Sequence, residues 1–164
     1  MNNIEEIIAD EILILRDSGE IPEVAMHGSI HYLCHDPEGP RITLGRKERD
    51  TLRRGAAGRF EEIILRDLNP ANRNLPLYRG PRRTLYNWHR YRIFCEREEM
   101  EIGPEFHEMA ARALCDLLAC EMIECPEGQS AINCTEKQLC ELAACLGLSP
   151  GDLPAGWQDL CRHS

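Results

Sequence analysis

Hydrophobic residues recur at helical spacing along most of the chain, and the pattern is clearest after Gly103. From Pro104 to about Glu124 the apolar positions form one wide stripe: Phe106, Met109, Ala110, Ala113, Leu114, Leu117, Leu118 and Met122. Residues three and four apart lie on the same face of an α-helix, so this stripe predicts an amphipathic helix with one buried side. Pro104 suits the first helical position because no helical partner exists there for an N–H group.

Four other segments carry the same kind of pattern, and we expect helices over residues 4–17, 47–68, 84–101 and 135–146. Asn3 can cap the first helix, and Thr135 with Gln138 forms a capping box at the start of the last. The helix expected over residues 47–68 ends before Asn69 and Pro70, because proline cannot continue a helix. A short final turn follows between residues 149 and 161.

A different pattern occupies residues 24–44, where two short apolar runs flank a turn. Val24, Met26, Ile30, Tyr32 and Leu33 precede the turn residues 36–40, and the run 41–44 follows them. Apolar runs around a segment rich in proline and glycine are typical of a β-hairpin. We therefore predict a small β-hairpin near residues 24–44.

Together these elements predict a mainly α fold, a single-domain bundle of about five helices over residues 1–164. The hairpin is an insertion at about 22–45, and an irregular link with three prolines occupies about 69–83. A chain of 164 residues suits one domain with a substantial core. Because aromatic residues make up only 5% of the chain, we expect an aliphatic core in which most of the cysteines are buried as small thiols.

Charge divides the chain into three parts. Residues 41–92 hold fourteen basic and five acidic residues, whereas residues 1–40 hold one and nine, and residues 93–164 hold four and fourteen. The whole chain has a net charge of −9 and an isoelectric point near 5.2. An acidic protein therefore contains a strongly basic middle segment.

The end of that segment interleaves arginines with aromatic residues. Guanidinium groups make planar, bidentate contacts with phosphate or carboxylate and also stack on aromatic rings. We therefore expect a binding surface for an anionic partner, either a nucleic acid or an acidic protein face. The alternative is internal pairing, in which the arginines are neutralised by the acidic flanks of the same chain. The predicted surface consists of Arg79, Arg82, Arg83, Tyr86, Trp88, Arg90 and Arg92.

The nine cysteines and six histidines supply an alternative function, binding of zinc or an iron–sulfur cluster by an accessory protein. The chain has no Cys-x-x-Cys pair, so the usual zinc-ribbon and ferredoxin spacings are missing. Histidines at four-residue spacing lie beside a thiol, and two later cysteines flank a predicted loop. The candidate ligands are His31, Cys34, His35, Cys125 and Cys134. We predict no cofactor as the first hypothesis and keep Zn²⁺ or Fe–S as the alternative.

Enzymatic activity has little support in the sequence, and we assign no catalytic residue. The chain contains no complete P-loop, no His-Glu-x-x-His pair and no Gly-x-Ser-x-Gly nucleophile motif. Its apolar runs are too short to span a membrane, and the acidic N-terminus does not resemble a signal peptide. We therefore expect a small cytoplasmic, non-enzymatic interaction protein in which the cysteines are reduced.

Overall fold

The computed structural model describes residues 3–120 and 134–162, apart from the side chains of Arg82, Cys134 and Thr135. Seven α-helices lie within these ranges: α1 (Ile4–Asp17), α2 (Pro22–Cys34), α3 (Arg46–Leu68), α4 (Pro81–Arg97), α5 (Pro104–Cys120), α6 (Cys134–Cys145) and α7 (Ala155–Arg162). Two short 3₁₀ turns occupy Pro70–Asn72 and Pro150–Asp152. The mainly α prediction is confirmed, with more helices than the five expected.

The predicted β-hairpin is wrong, because residues 3–120 and 134–162 contain no strand and residues 22–34 form helix α2. The buried face of α2 comprises Pro22, Ala25, Met26, Ser29 and Leu33, which recur at helical spacing. Two of these residues, Ala25 and Ser29, are small, so the apolar pattern of a helix was hidden. The larger residues that suggested a strand, Val24 and Tyr32, are both exposed.

The chain divides into two compact units. The first unit contains α1, α2, α3 as far as Glu62, and the short segment Arg97–Glu99. The second unit contains the end of α3 from Ile63, α4 to Glu96, and the chain from Met100 onward. The assignment of residues 1–164 to a single domain stays a prediction.

The first unit packs α1 against α3 through a glycine. A Cβ atom at Gly55 would lie 3.3 Å from the Cγ1 atom of Ile12, so the missing side chain permits the close approach of α1. Helix α3 continues through Gly55 and Gly58 although each lowers its helical propensity by about 1 kcal/mol relative to alanine. Burial of Leu52, Ala56 and Phe60 along one face offsets this cost.

In the second unit, α7 is held to the rest of the fold in two ways. A disulfide joins Cys140 of α6 to Cys161 of α7, with the two Cα atoms 5.2 Å apart. Trp157 of α7 is buried, and its Nε1–H group donates a hydrogen bond of 3.0 Å to the carbonyl oxygen of Leu118 in α5. The expectation that all cysteines are reduced thiols is therefore wrong for this pair. Among the remaining described cysteines, Cys95 is buried and Cys120 is exposed.

Candidate interaction surface on helix α4

Helix α4 is anchored by an aromatic cluster in the second unit. Trp88 stacks on Phe106 of α5 with 6.3 Å between ring centroids, and Tyr91 meets Phe106 edge to face at 5.7 Å. His107 also lies against Trp88, at 5.6 Å. Offset and edge-to-face arrangements of this kind favour packing beyond simple burial. Trp88, which the sequence analysis assigned to the binding surface, is 4% exposed and belongs to the core.

The beginning of α4 is held by a buried carboxylate. The side chain of Asp67, at the end of α3, is fully buried and accepts hydrogen bonds from Arg66 Nε (3.0 Å) and from the backbone N–H group of Arg79 (3.1 Å). Gly80 then adopts a positive φ of 82°, which favours glycine, and Pro81 begins the helix. The aromatic cluster and this junction therefore position the exposed side of α4.

Three residues meet on that exposed side. The guanidinium carbon of Arg83 lies 4.0 Å from the ring centroid of Tyr86, and that of Arg90 lies 5.2 Å from the same centroid. The three positions are separated by three and four residues, so they follow one face of the helix. Both distances are within the range of cation–π attraction. Ile93, seven residues after Tyr86, continues the same face and is exposed. We call these four residues the α4 surface.

The arginines of the α4 surface have no carboxylate partner within the part of the chain that the structure describes. Ion pairs there involve other basic residues. In addition, the Nε atom of Arg90 is buried without a hydrogen-bond partner. Two positive charges therefore bracket one tyrosine ring and retain their capacity to donate hydrogen bonds.

Other members of the predicted surface lie elsewhere. Arg92 is two residues beyond Arg90, about 200° around the helix, and it pairs with Glu96 at 3.0 Å. The side chain of Arg79 is exposed, and the side chain of Arg82 lies outside the described residues. The sequence analysis therefore identified the three residues that meet on α4 but grouped them with residues that do not.

Internal pairing accounts for another part of the basic segment. In the first unit, Arg53 contacts Glu98 at 2.7 Å and Asp50 at 2.6 Å. The hydrogen bond that Arg53 donates to Glu98 is the largest contribution, and together with the one to Asp50 it outweighs desolvation, so the pKa of Arg53 is raised. Lys47 also pairs with Glu5, at 3.6 Å. The two interpretations of the basic segment thus apply to different residues. Arg53 and Lys47 are paired within the first unit, whereas Arg83 and Arg90 lie on the α4 surface.

The candidate metal ligands do not come together in the described residues. His31 and His35 have ring centroids 6.0 Å apart at the end of α2, and both are exposed. Cys34 lies between them in sequence and is a half-buried thiol. Cys125 and the side chain of Cys134 fall outside the described residues. Within residues 3–120 and 134–162, no group of three histidine, cysteine or acidic side chains could hold a metal ion.

The first unit contains features that the sequence analysis did not identify. A cleft of about 650 Å³ lies between α1 and the beginning of α3, with Ile4, Ile8 and Ile12 on one wall and Lys47 and Thr51 on the other. On the outer side of α1, Leu13 is 61% exposed. A leucine on an acidic helix face was visible in the sequence, but only the structure shows that it is unpacked.

Comparison with known families adds the following. A family model described as a repeat of unknown function (DUF7826) matches residues 3–148. The chain belongs to this family. No curated protein and no solved structure matches it. Among the described residues, none of the helices has the length and apolar character needed to cross a membrane.

Proposed function

We propose that this member of the family is a non-enzymatic interaction protein that binds an acidic protein face through the α4 surface. The observation that carries the proposal is the arrangement of Arg83, Tyr86 and Arg90, in which two guanidinium groups flank one exposed ring and have no carboxylate partner among the described residues. Ile93 extends this face with an apolar side chain. Charged and apolar groups are therefore presented together, as a protein partner requires.

The stacked arrangement favours binding for a specific reason. An arginine side chain loses rotamer freedom when it binds, and this loss weakens most exposed ion pairs. The ring of Tyr86 already restricts both guanidinium groups, and Arg83 is exposed whereas Arg90 is half-buried with its Nε atom inaccessible. A carboxylate can then accept two hydrogen bonds from one guanidinium group with less additional ordering.

Several observations favour an acidic protein over a nucleic acid as the partner. Nucleic-acid binding depends on neutralising several phosphates, and its affinity grows with the number of such contacts. On the α4 surface Arg83 and Arg90 supply two cations, whereas Arg92 of the same helix is paired with Glu96. A protein face with a few carboxylates around an apolar centre matches the α4 surface better.

Binding of a fluorescein-labelled poly-L-glutamate probe, measured by fluorescence anisotropy at low and high salt, tests the proposal. We expect the double variant Arg83→Gln, Arg90→Gln to bind about 5- to 30-fold more weakly, because two such contacts contribute roughly 0.5–1 kcal/mol each. Arg92→Gln is the matched control, since it removes the same charge from another side of the same helix. Its affinity should stay near that of the wild type.

Two results would overturn the proposal. One is equal affinity of the double variant and the Arg92→Gln control for the probe. This result would show that Arg83 and Arg90 contribute no more to binding than an arginine elsewhere on α4. The other is tighter binding of a single-stranded DNA oligonucleotide of matched charge, with the same dependence on Arg83 and Arg90. A further variant, Tyr86→Leu, keeps both arginines and removes the ring, and we expect an intermediate loss of affinity.

A further inference from the structure

The outer side of α1 carries the counterpart of the α4 surface. On α4, Tyr86 is preceded by Arg83 at three residues and followed by Arg90 at four residues. On α1, the exposed Leu13 is preceded by Asp10 at three residues and followed by Asp17 at four residues. The two pairs of charges therefore have the same spacing around an exposed centre, with opposite sign. Arg16 lies three residues after Leu13 on the same side of α1, and its charge is paired with Glu62.

The acidic face of α1 is separate from the side that packs in the first unit. Ile8, Glu11 and Leu15 are the buried residues of α1, and Leu13 lies on the opposite side of the helix. Asp10 and Asp17 are exposed and have no basic partner in the part of the chain that the structure describes. Both the leucine and its flanking carboxylates are therefore available to a partner.

We propose that α1 of one copy of this chain docks on the α4 surface of a second copy, a proposal that rests on the proposed function and names its acidic partner. Residues seven apart on a helix are separated by about 10.5 Å along its axis. The Cα atoms of Asp10 and Asp17 are therefore as far apart along the helix axis as those of Arg83 and Arg90. When the two helices align in parallel, the Cα atoms of the two aspartates lie level with those of the two arginines, and Leu13 lies level with Tyr86. Both guanidinium groups turn toward the ring of Tyr86, so the two carboxylates meet them from either side of Leu13.

The docking uses two different faces, so each copy keeps one face free for a further copy. Such a heterologous contact allows copies to add head to tail unless the assembly closes into a ring. The chain belongs to a family described as a repeat, and neighbouring units in repeat arrays bury surface against each other. A contact between the α1 face and the α4 surface supplies a junction of this type for copies of this fold.

Charge exchange tests the docking in the full-length chain, with sedimentation velocity measured across a range of protein concentrations. The first variant carries Arg83→Asp and Arg90→Asp, and the second carries Asp10→Arg and Asp17→Arg. We expect the wild type to self-associate, with an association that weakens as salt is added. Each variant alone should stay monomeric, because its two faces then have the same charge. An equimolar mixture should associate again, because every contact between the two variants pairs opposite charges.

Controls separate this docking from non-specific attraction and from the proposed function. Arg92→Asp makes a charge change on another side of α4 and should leave the wild-type association intact, while circular dichroism confirms that every variant is folded. A wild type that stays monomeric up to about 1 mM would contradict the docking. If that monomer still loses poly-L-glutamate binding on substitution of Arg83 and Arg90, the proposed function stands and the second copy is ruled out as the partner. Two variants that do not associate when mixed would also overturn the docking.

Discussion

Reduction of the disulfide between Cys140 and Cys161 should lower the free energy of unfolding of the second unit. The bond links residues 21 apart in sequence, and it therefore closes a loop that includes the 3₁₀ turn and most of α7. In the unfolded chain this closure removes conformational entropy, whereas the folded unit already holds the two helices together. Serine at both positions should reproduce the effect of a reductant.

The expected magnitude is about 3 kcal/mol, obtained by applying the chain-entropy relation to a loop of this length. Helix α7 should stay packed after the disulfide is reduced, because Trp157 remains buried and its ring N–H group still donates a hydrogen bond to the carbonyl oxygen of Leu118. Replacing Trp157 by phenylalanine removes that hydrogen bond and leaves the Leu118 carbonyl without its partner. In the reduced protein we expect a further loss of about 1–3 kcal/mol.

Urea unfolding of the oxidised and reduced protein, followed by tryptophan fluorescence and far-ultraviolet circular dichroism, measures both effects. A lower midpoint at an unchanged slope would report a change of stability and not of denatured-state compactness. Peptide mapping of the oxidised protein by mass spectrometry should recover Cys140 linked to Cys161. Identical midpoints for the oxidised, reduced and serine-substituted proteins would refute the reasoning, since the loop would then contribute nothing to stability.

Two further predictions concern the second unit. Phe106→Ala removes the ring that Trp88 and Tyr91 pack against. We expect this substitution to destabilise the protein by about 3–5 kcal/mol and to shift the tryptophan emission to the red. An unchanged urea midpoint would contradict the role of this cluster. The backbone N–H group of Ser149 and, to a smaller extent, its hydroxyl group donate hydrogen bonds to Asp152 and lower the pKa of this carboxyl group. These hydrogen bonds stabilise the folded protein fully above the ordinary aspartate pKa, and the stabilisation is lost as the pH falls through the lower pKa of the folded state. Ser149→Ala should therefore raise the pKa of Asp152 only part of the way, as measured by carboxyl NMR titration, and an unchanged or lower pKa would contradict the assignment.

The sequence was sufficient to predict those helices whose large residues mark a face. Helix α5 shows an almost continuous stripe, and most of its members, such as Leu114 and Leu117, are buried, whereas Met109 is 52% exposed. In α4, Leu85 and Cys95 are buried. Most of the apolar side chains on which the α5 pattern rests are the same ones that fill the core.

Helix α2 could not be predicted in this way because its inner face contains small residues. Ala25 and Ser29 are buried, yet neither contributes to an apolar pattern, and Val24 and Tyr32 on the exposed side contribute strongly. Pro22 stands where the hairpin insertion was expected to begin, but it occupies the first turn of α2, a position that suits proline. Burial of small residues depends on tertiary packing, which a local pattern does not contain.

The sequence indicated which types of residue form the candidate site, but it did not indicate on which side of α4 each residue lies. An interleaved set of arginines and aromatic residues indicated a basic surface, but it did not separate Tyr86, which is exposed, from Trp88, which is buried. That distinction depends on which side of α4 faces Phe106. It also depends on the ion pair between Arg92 and Glu96, which removes one arginine from the set.

Hydroxyl-radical footprinting of tyrosine tests the central claim most directly, namely that the α4 surface binds an acidic partner. Tyr86 and Tyr32 are exposed to nearly the same extent, 39% and 40%, but Tyr32 lies on α2 in the other unit and serves as an internal control. With saturating poly-L-glutamate, the account predicts that oxidation of Tyr86 falls several-fold while oxidation of Tyr32 stays constant. Equal oxidation of Tyr86 with and without the probe, or protection of Tyr32 instead, would contradict it.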